Sequence, residues 1–492
     1  MTGKFSAGLK LGDLNDFIAP SQACVVSLNG IKKNNMLEEV LVQVQERARA
    51  KKFDTNFDLK TVDTTPVKVT LHDCLACSGC ITSAETVMLE QQSVDEFIKQ
   101  VSSEDKAVIV SISPQSRTSL ACYYGISPLQ AFKKLTTFFK SLGVKAVFDT
   151  SCSRDMSLIE SCEEFIKIHK AQGKSQTGGQ NKGFPLLASS CPGWVCYAEK
   201  TLDSSILPHI SSVKSPQQTM GAIIKRFACS NMGLWVDQVY HVTVMPCYDK
   251  KLEASRDDFF FSIDGENENF KEAASGRLTE VDCVLTSGEM LDLLQARCSD
   301  FNSLEESPID RMLANVDETG HLYGSRGGSG GYAECIFRHA ARELFNKELP
   351  SHLEFRTLRN SDFKELTLEV EGEVVLHFAC CYGFRNIQNL VRKMKAGKCD
   401  YQFVEIMACP SGCLNGGGQI KPKKGQSGKD LIQSLETTYL SEVNISDPFE
   451  NPIIKGLYDS WLGYPGSEKS IKVMHTGYHT REKTVTSQLS NW

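Results

Sequence analysis

Long hydrophobic runs are missing from this 492-residue chain, and with them the ~18 apolar residues that a membrane-spanning helix needs. The opening MTGKFSAGLKLGD lacks the apolar core of a secretory signal and any excess of arginine, so neither export nor organelle import is expected. An excess of positive charge is missing too. The 54 Lys and Arg stand against 60 Asp and Glu, a formal charge of -6, whereas surfaces that bind nucleic acid neutralise phosphates with a basic face. No nucleic acid and no membrane are therefore expected as partners. With 41% hydrophobic and 23% charged residues, the chain reads as an ordinary globular protein of roughly two to four domains. Small molecules or other proteins are the partners left.

Cysteine, by contrast, is plentiful. The cytoplasm keeps thiols reduced, so 19 cysteines, an odd number, do not read as a disulfide framework and point instead to metal. The densest group is HDCLACSGCITS, where two residues separate Cys74 from Cys77 and Cys77 from Cys80. Small Ala76, Ser78 and Gly79 let backbone amides turn toward inorganic sulfide. A bacterial ferredoxin run adds a fourth cysteine and then proline, but ITSAE follows Cys80, so the fourth ligand comes from elsewhere. Cys24, in the polar segment PSQACV, is the only cysteine upstream. Zinc and unliganded thiols are alternatives, yet the spacing is tighter than the paired knuckles of structural zinc and favours an iron–sulfur cluster.

Beyond this segment, β-branched apolar runs alternate with helical patterns. Strands are predicted at 107–112 and 144–148 and in runs opening at Phe184, Val239, Val281, Val374 and Tyr401. SPLQAFKKLTTFFKSLG reads as a helix with Ser127 as its cap, Pro128 in the first turn and Gly143 as its stop. The alternation predicts an α/β fold of mainly parallel sheets covered by helices. Cys191, Cys247 and Cys409 each fall just past a predicted strand, where open α/β sheets bind ligands, and Cys413 follows four residues on. Four thiolates from three strand ends suit a cubic [4Fe-4S] cluster. Any one of them alone reads best as a small buried side chain, but four beside proline and glycine in CPGW, MPC and ACPSGC do not. The other cysteines from Cys122 to Cys399 are expected to pack. GSRGGSGGY from Gly324 has the look of a phosphate loop but lacks the Lys-Ser or Lys-Thr pair, so it is expected to bring backbone close to the second cluster.

At this point a family resemblance emerges. ASSCPGW, MPCYDKKLE and EIMACPSGCLNGGGQ resemble, in order, the three segments around the active-site cluster of iron-only [FeFe] hydrogenases, and the stretch from Asn451 resembles their small subunit. The resemblance implies two α/β lobes around a [4Fe-4S] cluster on Cys191, Cys247, Cys409 and Cys413, with Lys250 matching the lysine that contacts a cyanide of the two-iron subcluster. It also implies an N-terminal iron–sulfur segment (1–103), two lobes (104–300 and 301–430) and a wrapping C-terminal segment with a mobile tail (431–492). Hydrogenases usually have a proton-shuttling cysteine where this chain has Ser190, and a hydroxyl is a poor relay near neutral pH.

LGDLNDFIAPSQAC followed by CLACSGC is similar to the start of the hydrogenase-like proteins of cytosolic iron–sulfur assembly, the Nar1/NARFL family. Membership implies two [4Fe-4S] clusters, the first on Cys24, Cys74, Cys77 and Cys80, no hydrogenase activity, and a place in the cytoplasm and also in the nucleus. Its implied partners are the cluster scaffold proteins and the targeting complex, with the WD40-repeat subunit of that complex among them. The polar tail ends in Trp492, a large aromatic on a free carboxylate, which resembles the terminal tryptophan by which clients and adaptors dock on the targeting complex. An active hydrogenase and a two-cluster electron carrier are the competing readings.

Overall fold

The fold is built from why its first strand and helix form. Ala107–Ile112 is apolar on both faces and buried almost throughout, as a strand in the middle of a covered parallel sheet must be. The strand leads into the helix Pro114–Tyr124, and the next helix, Pro128–Ser141, starts on a capping box in which Ser127 and Gln130 each bond the other's backbone amide, with Pro128 in its first turn. Gly143, at φ +102°, turns the chain out of it. The helix buries Phe132, Leu135, Phe138 and Phe139, each a side chain whose removal from water is worth ~1.5–3 kcal/mol.

This computed structural model describes residues 92–103, 105–172, 183–261, 278–441 and 443–480. Cys24, Cys74, Cys77, Cys80 and Trp492 lie outside the described residues, as does most of the loop that follows Ala171. The strands in chain order are β1 (Ala107–Ile112), β2 (Ala146–Asp149), β3 (Leu186–Ala188), β4 (Val239–Met245), β5 (Phe260–Phe261), β6 (Leu278–Thr279) and β7 (Cys283–Thr286). There follow β8 (Leu322–Gly324), β9 (Arg356–Thr357), β10 (Phe363–Val370), β11 (Glu373–Tyr382), β12 (Phe403–Met407) and β13 (Val443–Ile445).

Two sheets organise the molecule. The first is parallel, in the order β2-β1-β4-β7. Alternate residues of β1 face opposite ways: Val108, Val110 and Ile112 enter one core with the helix Pro128–Ser141, while Ile109 enters another on the far face. That far core also takes Ile454, Leu457, Tyr458, Leu462, Val473 and Met474, so the C-terminal segment seals the back of the first sheet. The second sheet is mixed, in the order β3-β12-β11-β10-β9, parallel from β3 to β11 and antiparallel beyond. The α/β class with mainly parallel sheets is as the alternation implies.

The stretch 104–300, read as one lobe, sends β3 into the second sheet, where Leu186, Leu187 and Ala188 pair with Phe403, Val404 and Glu405 of β12. A strand's own pattern tells which of its faces are buried but not which neighbour, two hundred residues away, completes its hydrogen bonds.

Candidate metal centre

The carboxyl ends of five strands from both sheets open onto one cavity. Ser113, Pro114 and Gln115 follow β1 into its wall, Thr150 and Arg154 follow β2, Ser190 and Cys191 follow β3, Pro246 and Cys247 follow β4, and Cys409 and Cys413 follow β12. All four cysteines expected to share a site therefore line the same cavity, and two sheets supply them. The cavity offers about 50 Å³ to the centres of water-sized atoms. One water needs roughly 10–15 Å³ on that measure, so the space suits a group of several atoms.

Local backbone geometry holds Cys191 and Cys413. Cys191 precedes the helix Pro192–Thr201 as its N-cap, its amide donates to Ser189 Oγ at 3.0 Å, and its sulfur accepts the Ala408 amide at 3.4 Å. Ser411 adopts φ +58° with its amide fixed by Asp362 Oδ1 at 2.7 Å. Next to it Gly412, at φ +75°, is a position where a Cβ would collide with the Ser329 hydroxyl, so only glycine lets the turn between Cys409 and Cys413 close. The Cys413 amide then donates to Ser329 Oγ at 3.0 Å.

Burial pushes the thiols of Cys191, Cys247, Cys409 and Cys413 above the usual range. Repulsion between their charged forms adds to the rise at Cys247, Cys409 and Cys413, while Lys250 works against it at Cys191, Cys247 and Cys413. Thiols raised in this way ionise only when cations take the place of their protons, which is how metal binding and proton release are coupled. Among the described residues no three His, Cys, Asp or Glu side chains close around a point tightly enough to hold a single metal ion. In a cubane every thiolate binds a different iron, so its four ligands stand wider apart than those of one ion. The donor set and the room fit an iron–sulfur cluster.

Lys250 is tied down. Its Nζ donates to Glu253 Oε2 at 2.7 Å and to Ser215 Oγ at 3.0 Å, and Gln217 Nε2 bonds the same carboxylate at 3.1 Å. Ser190 lines the cavity beside Cys191, its hydroxyl 3.4 Å from the Ser329 carbonyl. The glycine-rich loop Gly324–Gly331 comes to the cavity through Ser329 and Gly330, as expected of it. The amide of Ala333, in the first turn of the helix that the loop opens, is already taken by Glu405 Oε2 at 2.8 Å. Sequence reasoning missed Ser329, Asp249, Gln217 and Met407 as cavity residues. Met407 had a signal, since it stands two residues before Cys409 at the end of a predicted strand. Gln217 had none.

Residues 106–417 match the family described as iron only hydrogenase large subunit, C-terminal domain, and residues 436–481 match iron hydrogenase small subunit. Among solved structures, a variant of the [FeFe]-hydrogenase HydA1 from Chlamydomonas reinhardtii superposes with a TM-score of 0.67 at 26% identity, covering 79% of this chain and 98% of that one. Over its whole length the chain is 58% identical to the protein NAR1 of Arabidopsis thaliana, with all of both chains covered. It is 45% identical to the mouse cytosolic iron-sulfur assembly component 3, again over all of both chains. The chain belongs to the Nar1/NARFL family. This chain has the hydrogenase fold, and the residues before 106, which fall outside the hydrogenase match, are covered by the Arabidopsis relative. Family and fold together imply iron–sulfur clusters. Among the described residues no helix is long and apolar enough to cross a membrane.

Proposed function

We propose that the chain is a late-acting component of cytosolic and nuclear iron–sulfur assembly that binds two [4Fe-4S] clusters and links the cluster scaffold to the targeting complex. The first cluster is assigned to Cys24, Cys74, Cys77 and Cys80, the second to Cys191, Cys247, Cys409 and Cys413. The observation that carries this reading is the convergence of four cysteines from two sheets on one cavity with Ser190 in its wall. A bound cubane supplies one-electron redox chemistry and sulfide-bridged iron. The protein's own part is to hold four thiolates at fixed strand ends, to keep water out by burial, and to steady the negative charge with Lys250. With no thiol at Ser190, proton delivery of the hydrogenase kind has no obvious carrier there, which supports a role without hydrogen turnover. Handover to apoproteins then rests on protein contacts, with Trp492 as the docking residue for the WD40-repeat subunit of the targeting complex.

Anaerobic iron and sulfide analysis tests the assignment: about eight irons per chain are expected, at four per cubane, and Cys409→Ala and Cys413→Ala should each lose about half of them. A variant that keeps all its iron would refute the second site. The retained Lys250 and the hydrogenase fold favour one competing reading, an active hydrogenase. Infrared bands of iron-bound carbonyl or cyanide, in protein made together with hydrogenase maturation proteins, would decide for it.

A further inference from the structure

Behind the glycine-rich loop lies a second cleft, separate from the cysteine cavity, with about 310 Å³ of room for the centres of water-sized atoms. The helix Tyr332–Phe345 forms one wall and the segment Ile445–Phe449 the other. Three arginines, Arg326, Arg338 and Arg342, face two carboxylates, Glu334 and Asp447, so the lining carries an excess of positive charge.

The arginines differ in what they already hold. Arg338 is fully engaged, by Glu334 at 2.8 Å and by the carbonyls of Pro350 and Ser351 at 2.6 and 2.9 Å. Arg342 is half-exposed, with Glu343 and Asp447 loosely placed at 3.6 and 3.7 Å and its Nη2 3.4 Å from His339 Nδ1. Among the described residues Arg326 has no carboxylate partner, and its side chain meets His352 Nδ1 at 3.3 Å. Its Nε is shut off from water and bonds to nothing among the described residues. A guanidinium cannot shed its charge, and with no carboxylate paired to Arg326 among the described residues the positive charge of the cleft is left without its counterpart, which suits an anion. Beside it the His339 ring lies flat on Phe449, centroids 4.5 Å apart and planes within 5°, which makes a flat wall. The helix N-terminus takes no part, because Glu405 occupies it.

We propose that this cleft binds a small ligand bearing carboxylate or phosphate oxygens, gripped by Arg326 and Arg342 and laid against the Phe449–His339 wall. Both oxyanions match the planar fork of arginine. The site is independent of the cluster assignment, although one loop separates the two: Ser325, Arg326 and Gly331 line the cleft while Ser329 and Gly330 line the cysteine cavity.

Calorimetric titration of the full, iron-loaded chain at constant ionic strength tests it, with inorganic phosphate in one arm and glutarate in the other. Saturable binding of at least one is expected; phosphate alone points to a phosphorylated ligand, glutarate alone to a carboxylate, and both to either. Arg326→Ala should weaken binding about 10-fold or more, and Arg342→Ala should weaken it as well, with iron content unchanged in each. Arg326→Gln serves if the alanine variant does not fold. No saturable binding in either arm, or binding that survives both substitutions, overturns the proposal.

Discussion

The hydroxyl of Ser329 accepts the amide of Cys413 at 3.0 Å, and this bond ties the glycine-rich loop to the turn that carries two of the four converging cysteines. Its loss leaves a part-buried amide without its partner. Ser329→Ala is therefore expected to cost about 1 kcal/mol of stability, read from the denaturant midpoint, and to speed the release of iron to a chelator. If iron leaves the variant no faster than the wild type, the loop does not support the site.

The approach of the same turn to the first sheet makes a sharper expectation. A Cβ on Gly416 would strike the carbonyl oxygen of Pro246, the residue before Cys247, and backbone cannot yield as a side chain does. Gly417, one residue on, has open space where its Cβ would stand. Gly416→Ala should thus lose roughly half of the iron, one cubane of two, whereas Gly417→Ala should keep all of it. Equal iron in the two variants would mean that the approach of these loops is not needed to hold the cluster.

These loops show where legibility in the sequence ends. Strand ends marked by proline and glycine made Cys191, Cys247, Cys409 and Cys413 readable as a group, because few other roles gather that chemistry at such places. The helix Pro128–Ser141 was readable from its cap to its stop for a similar reason: every signal is local. Ser329 and Gln217 were not, since a single polar residue in a loop or helix looks alike whether it faces water or a cavity. The pairing of β3 with β12 lay beyond reach for the same cause, being fixed by packing between distant segments. Arg326 is the extreme case: only the structure reveals that among the described residues its charge meets no carboxylate.

Lys250 and Glu253 form a buried pair at 2.7 Å, with side chains 7% and 9% exposed. Removing the cation alone strands a carboxylate away from water, a change that costs about 3–5 kcal/mol. Lys250→Met should fall in that range by denaturant unfolding. The double variant Lys250→Met with Glu253→Gln should recover much of the loss, because the stranded charge is gone. A single variant as stable as wild type would show that water or another cation reaches Glu253.

His241 gives the pH dependence. Its Nδ1 lies 3.1 Å from the Glu280 carbonyl and its Nε2 2.9 Å from Ser111 Oγ, so the neutral ring donates to the first and accepts from the second. Burial pulls its pKa down to about 4, against a smaller upward pull from the Glu280 carbonyl and from Asp282, with Lys225 adding to the fall. The folded value thus lies below the unfolded one. The unfolded chain takes up a proton that the folded chain refuses, and stability is lost as pH drops from ~6.5 to about 4 and levels off below. The difference corresponds to about 3 kcal/mol, at ~1.4 kcal/mol per pH unit. Buried carboxyls such as Glu280, whose pKa is raised, act in the opposite sense, so the comparison must be made with His241→Asn. The wild type should lose that amount relative to the variant between those pH values. Parallel stability curves for the two proteins would mean that the ring is protonated in the fold or that its cavity admits water.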